Sequence, residues 1–418
     1  MTRSSWKSAM HNRARQPPGS APTTQGQFFA PLESFRGLAA LIVVIYHAAW
    51  LNPISFSHFF RNGPLMVDFF FVLSGFVMSL SYLQKLRSPQ DLGRFLWLRL
   101  GRLYPLHLAM LLVFLGIECF KLWAARHHPL VADRSAFTFN NGYTLLTNLL
   151  LVHSMGFDRQ LSYNYPSWSI STEFYAYVLF AATRVIFQSE RMFIAASAVI
   201  VAVSLGILLK LNIVPLVDAG TQWGYFRCVA GFFLGTLTFQ LYERLRGSAA
   251  HIPAWASVAA TGAMIAALAW IDPDGPATYA MPLLSAFLIL SVALQPSDML
   301  HDVLSCRPLR WLGRVSYSVY MVHAALLWVI SELLLATGRY QRVQFADGHL
   351  INTSPYVGLI ALVCYVTCVL LVSQLTYQWI EEPFRLLSRR ALGQGNQVKP
   401  DGAGSNPRLP QQRPDLPQ

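Results

Sequence analysis

His47 is the one side chain in residues 38–50 that ordinarily titrates near neutrality, in a run that otherwise reads as apolar. Arg36 opens the run eleven residues earlier, and eleven helical steps come within about 20° of three whole turns, so the two side chains share one helix face. Ionisable groups at membrane depth are costly and mark polar paths or sites. Imidazole titrates nearest neutrality, so His47 is the expected general base, taking a proton from a hydroxyl or a similar group. Asp68, Glu173 and Arg227 are read at the same depth, in the outer half. Asp68 or Glu173 is expected to hold the tautomer of His47 and to stabilise its imidazolium, and Arg227 to neutralise a carboxylate or an oxyanion. The competing reading for each is an interhelical bond that ties the bundle together, with Asp68 and Arg227 as a simple pair.

A second layer is read at the other membrane face. Arg99 and Arg102 stand at i and i+3, one turn apart, ahead of Leu103-Tyr104-Pro105. Such a fork suits phosphate groups, which arginine grips in bidentate fashion; the alternative is a pair of anchors snorkelling to lipid headgroups. His107, Glu381 and Glu382 belong to the same layer. Tyr317, Tyr320 and His323 recur every third residue and form a polar ridge on one helix, either a site or a satisfied buried network. Trp168 and Ser169 begin the helix that carries Glu173, where aromatic-belt anchoring is the plain account of Trp168.

The elements that position these residues are membrane helices. Of the 418 residues 54% are hydrophobic and 12% charged, with a mean hydropathy of +0.39, a membrane composition. Ten apolar runs of about 20 residues are predicted, at 37–53, 64–84, 103–123, 168–188, 192–211, 222–243, 252–271, 278–296, 314–336 and 356–380. The fold class is therefore all-α, a polytopic membrane bundle, because the runs are too long and too uniformly apolar for barrel strands. The formal charge of +12 falls mostly in one set of loops, which places both termini in the cytoplasm and argues against nucleic acid as a partner. Residues 1–29 and 389–418 read as disordered cytoplasmic tails flanking a membrane domain at 30–388. His127 and His128 read as loop residues. The five cysteines show no metal-ligand spacing, and no metal is expected.

Five segments, taken in order, resemble the acyltransferase 3 family of integral-membrane O-acyltransferases. They are Arg36 with Tyr46-His47; Val67-Asp68-Phe69-Phe70-Phe71 through Gly75-Phe76; Arg99-Leu100-Gly101-Arg102-Leu103-Tyr104-Pro105; Trp168-Ser169 through Glu173; and Ser316-Tyr317 through His323. The chain departs from the family pattern at Glu33, where aspartate is common, and at Phe174, where many members carry a second glutamate; this leaves the acceptor open. The resemblance implies an enzyme of the cell's inner or plasma membrane, with acyl-CoA as co-substrate, acetyl-CoA first, and no permanently bound cofactor. Its implied partners are membrane lipid and a carbohydrate, glycolipid or other hydroxyl-bearing acceptor. The catalytic histidine carries over to His47 and the donor-associated arginines to Arg36, Arg99 and Arg102. Direct attack on the thioester and transfer through an acyl-carrying residue both stay open. The runner-up reading is a proton-coupled transporter using the same polar residues, although no inverted repeat is visible.

Overall fold

The computed structural model describes residues 30–127, 135–220, 222–246, 253, 255–295, 299–345 and 348–393. Residues 1–29, His128 and the second tail from 394 onward, all of which carried sequence expectations, lie outside the described residues. In chain order the helices are α1 (Ala30–Tyr46), α2 (His58–Arg61), α3 (Met66–Tyr82), α4 (Pro89–His127), α5 (Gly142–Leu149), α6 (Trp168–Ile186), α7 (Glu190–Lys210), α8 (Gly224–Leu245), α9 (Trp255–Trp270), α10 (Met281–Leu294), α11 (Met299–Leu304) and α12 (Arg307–Ala336). A small antiparallel hairpin of β1 (Arg342–Phe345) and β2 (Gly348–Ile351) precedes α13 (Pro355–Thr376) and α14 (Glu382–Ala391).

Each of the ten apolar runs overlaps a helix of fourteen residues or more. Six segments are long and apolar enough to cross a membrane: Gly63–Tyr82, Pro89–His127, Glu190–Lys210, Pro276–Leu294, Arg307–Ala336 and Pro355–Ala391. The protein is an all-helical, multi-pass integral membrane protein. Among the helices outside that set, α1, α6 and α8 carry Arg36, Glu173 and Arg227; α6 and α8 are long enough but too polar, because they line the bundle interior. Conversely, α7 and α13 turn Val199, Val203, Ile360 and Val363 outward, as lipid-facing helices must.

Close backbone contacts fix the helices that carry the site. A Cβ at Gly75 of α3 would lie 1.8 Å from the Phe232 carbonyl oxygen of α8, and one at Gly313 of α12 would lie 2.2 Å from the Glu33 carbonyl oxygen of α1. Only glycine lets the backbones approach this far. The α1–α12 crossing brings Arg36 onto α12, where its Nη2 donates to the Gly313 carbonyl at 2.7 Å and its Nε to Ser316 Oγ at 2.8 Å.

One expectation is corrected at the end of α1. The helix was predicted to continue past His47, but it stops at Tyr46. Asn52 precedes Pro53, which disfavours helical backbone, and residues 49–51 instead pair with β2: the Ile351 N–H donates to Ala49 O at 2.8 Å and the Leu51 N–H to Ile351 O at 3.1 Å. His47 therefore sits in the turn that closes α1.

Candidate active site

The inner cavity is built from α1, α3, α4, α6 and α12. It measures about 120 Å³ and is lined by Arg36, Arg99, Arg102, Ser169, Glu173, Tyr317 and Tyr320, with Ser74 and Tyr177. Arg99 and Arg102 face it from one side of α4, as their spacing requires. Arg99 is 8% exposed. Its Nη2 donates to Tyr82 Oη at 2.8 Å and its guanidinium lies 5.0 Å from the Tyr82 ring centroid. Among the described residues neither Arg99 nor Arg102 is in an ion pair within 4.0 Å. A snorkelling anchor would reach outward to headgroups, whereas these side chains turn inward, so the anchor reading gives way.

Glu173 lies in this cavity as well, and not beside His47 as its predicted depth suggested. Ser74 Oγ donates to its Oε1 at 2.6 Å, Tyr177 Oη donates to the same oxygen, and its charge acts on both Arg36 and Arg102. Depth counted along a chain locates backbones; the long arginine side chains carry their charge to another level.

Glu381 is the residue that sequence reasoning passed over as a site member. It ends a π-helical turn, Tyr377–Glu381, between α13 and α14, and is 3% exposed. Ser318 Oγ donates to its Oε2 at 3.0 Å, and its charge acts on Arg102 and Arg36. The available signal was a glutamate pair against Pro383 closing an apolar run; widened helical turns of this kind concentrate at functional sites.

Asp68 and Arg227 form a pair of their own. Arg227 Nε and Nη2 donate to Asp68 Oδ1 and Oδ2 at 2.9 and 2.8 Å, and Nη2 also donates to the Pro64 carbonyl. The side chains are 1% and 0% exposed. Trp168 covers the pair, with the guanidinium 5.5 Å from its ring centroid, and is itself buried rather than set in an aromatic belt. Bidentate geometry uses both carboxylate oxygens, so the structure replaces the expected Asp68–His47 contact with an Asp68–Arg227 brace.

His47 instead faces His323, with ring centroids 5.0 Å apart, and Tyr165 at 5.2 Å. Its Nδ1 lies 2.8 Å from the Val43 carbonyl, which also accepts the His47 backbone N–H at 3.3 Å in the closing turn of α1. The side-chain bond fixes the proton on Nδ1 and leaves Nε2 as the acceptor in the neutral ring. His323 repeats the arrangement, with Nδ1 2.6 Å from the Tyr320 carbonyl, and is fully buried with no hydrogen-bond partner at Nε2. The expectation that Asp68 or Glu173 holds the tautomer is thereby corrected: a backbone carbonyl holds it, and a second imidazole faces the ring.

Tyr320 joins the two halves. Its hydroxyl, which accepts from Ser169 Oγ at 3.1 Å, lines the arginine cavity, while its ring lies 5.7 Å from that of His323. Tyr317 Oη donates to the Leu103 carbonyl at 2.6 Å, which locks α12 to α4. On the far side of His47, Tyr165 also lines a separate outer cavity of about 160 Å³ with Asn140, Tyr163 and Lys121. Among the described residues no cluster of three or more His, Cys, Asp or Glu side chains is arranged to hold a metal.

Comparison with known proteins adds an independent finding. The family described as an acyltransferase domain, Acyl_transf_3, matches residues 30–377. YrhL of Bacillus subtilis (strain 168), named for peptidoglycan O-acetyl transfer, is 26% identical over 394 residues, covering 88% of this chain and 57% of its own length. BcsY of Komagataeibacter xylinus, named as a membrane-bound transacylase, is 28% identical over 323 residues, covering 72% and 74%. The peptidoglycan O-acetyltransferase OatA of Listeria monocytogenes is 22% identical over 394 residues, covering 86% and 56%. The chain thus spans little more than half the length of YrhL and OatA. No solved structure matches.

Proposed function

The chain belongs to the acyltransferase 3 family, and on that premise we propose that it moves an acetyl group from acetyl-CoA to a hydroxyl of a carbohydrate or glycolipid, with His47 as general base. The observation that carries this reading is the inner cavity. It is lined by Arg36, Arg99 and Arg102, and by Tyr320, whose ring contacts His323, which in turn faces His47.

In this mechanism the arginines draw the anionic donor to the cavity and Arg36 stabilises charge on the thioester oxygen. The acceptor approaches from the side of Tyr165, and His47 Nε2 takes the hydroxyl proton as its oxygen attacks the thioester carbonyl. The tetrahedral centre collapses with breakage of the carbon–sulfur bond, and the proton held by His47 passes to the departing thiolate, giving free CoA and the acetylated acceptor. The narrowness of the cavity, about 120 Å³, favours a short acyl group. The family match and the names of the relatives support transfer over the transporter reading. For the topology we propose ten crossings with both termini cytoplasmic, supported by the ten helices and the charge distribution.

Mass spectrometry of envelope glycans and lipids from cells with and without the gene tests the reaction. A species heavier by one acetyl unit in the gene's presence is expected; identical profiles contradict it.

A further inference from the structure

A second, larger cavity of about 780 Å³ lies against the inner one and shares Arg36, Leu73 and Val77 with it. It is walled by the end of α3, the start of α1, the α6–α7 corner and the end of α8. Its rim residues Gln84, Lys85, Arg87 and Arg246 are exposed, so the chamber opens to the surface. Two adjoining chambers, one wide and one narrow, are shaped for a ligand with a bulky end and a slender reactive end.

The charges of the wide chamber are unequal in availability. Arg184 is spent on the carbonyls of Leu83, Phe187 and Gln188, and Arg246 is paired with Glu243 at 2.7 Å. Lys85 stands 5.4 Å from the Tyr82 ring centroid, and Arg87 bonds only amide and carbonyl oxygens of Gln84 and Gln188 through its side chain. Among the described residues neither has a carboxylate partner. Glu190 also lines the chamber, which leaves a net positive mouth. Tyr82 links the two sets of charges: its hydroxyl accepts from Arg99 while its ring lies beside Lys85.

We propose that this wide chamber is the seat of the donor's phosphorylated nucleotide end, with Lys85 and Arg87 as its phosphate ligands. It rests on the acyl-CoA reading above and divides that donor between two chambers. The phosphates stay at the mouth on Lys85 and Arg87, and the pantetheine arm passes Arg36, Leu73 and Val77 to bring the thioester in front of Arg99, Arg102 and Tyr320. Arg99 and Arg102 then serve the acyl end rather than the phosphates, in keeping with a cavity that has no room for a nucleotide. Exposed charges on a flexible rim contribute modestly one by one and are screened by salt.

Calorimetry on the full chain in detergent or nanodiscs tests this with free CoA, dephospho-CoA and pantetheine as probes. The Lys85→Ala, Arg87→Ala double variant is expected to weaken CoA about tenfold, the sum of two charge-assisted contacts, to weaken dephospho-CoA less, and to leave pantetheine unchanged. Both positions are exposed, so the fold survives the change. CoA affinity equal in wild type and variant, or an equal loss for pantetheine, overturns the nucleotide site while leaving acyl transfer intact. A wild type that binds no CoA at all overturns the site and the donor together, whereas a failure only of acetyl transfer, with these affinities as expected, counts against the reaction alone.

Discussion

The imidazoles of His47 and His323 face each other at 5.0 Å, each with Nδ1 turned to a backbone carbonyl, Val43 at 2.8 Å and Tyr320 at 2.6 Å. Both rings are thus set with Nε2 as the free nitrogen. A carboxylate behind a catalytic histidine would raise its basicity; here a helix-end carbonyl does the orienting. In the proposed mechanism His323 is a positioning residue for His47. His323→Ala is expected to lower kcat by about 10²-fold, within the range of acid–base effects, with CoA affinity unchanged. An equal fall in CoA affinity would mean that the ring only props the cavity.

The Asp68–Arg227 pair has the geometry of a structural brace. Removing one partner of a buried pair strands a charge and costs about 3–5 kcal/mol, so Asp68→Asn and Arg227→Gln are each expected to lower the melting temperature sharply. Activity per folded molecule should stay within a few-fold, and the double variant should recover part of the stability. A specific-activity loss of 10²-fold in well-folded Asp68→Asn would return Asp68 to the catalytic group.

At Gly313 a methyl group meets the α1 backbone, whereas at Gly116 it meets nothing within 4 Å. Gly313→Ala is expected to cost roughly 1–3 kcal/mol by overpacking and to impair transfer by moving Arg36. Gly116→Ala serves as the control, with thermal stability and turnover both unchanged. Equal behaviour of the two variants would contradict the close α1–α12 crossing.

In the connection between α5 and α6, His153 stacks on His107 with ring planes 5° apart. Burial first, and then the neighbouring imidazole, push its pKa down from 6.5 to about 3. The unfolded chain therefore takes up this proton before the folded one does. The neutral ring's contribution is complete above pH 6.5 and is lost as pH falls from 6.5 toward about 3. Melting temperature measured across that window should fall less steeply in His153→Gln than in the wild type; parallel slopes would contradict the assignment.

Much of this arrangement is legible in the amino-acid sequence. The ten apolar runs locate the helices because bilayer thickness fixes their length, and the i, i+3 spacing puts Arg99 and Arg102 on one face. Side-chain partners are less legible. Depth arithmetic groups His47 with Asp68 and Glu173, but rotation about each helix axis sends Asp68 to Arg227 and Glu173 to the arginine cavity. The end of α1 at Tyr46 depends on backbone pairing with Ile351, some 300 residues distant, which no local pattern announces. Glu381 owes its place to a π-helical turn, a local widening that apolar periodicity does not predict.

The central claim is that His47 Nε2 is the base for acyl transfer. Its most direct test is single-turnover transfer of radiolabelled acetyl from acetyl-CoA to isolated envelope glycan by purified His47→Ala, with CoA affinity measured on the same sample. The account predicts transfer reduced by at least about 10²-fold and affinity within twofold of wild type. Transfer near the wild-type rate in that variant would contradict it.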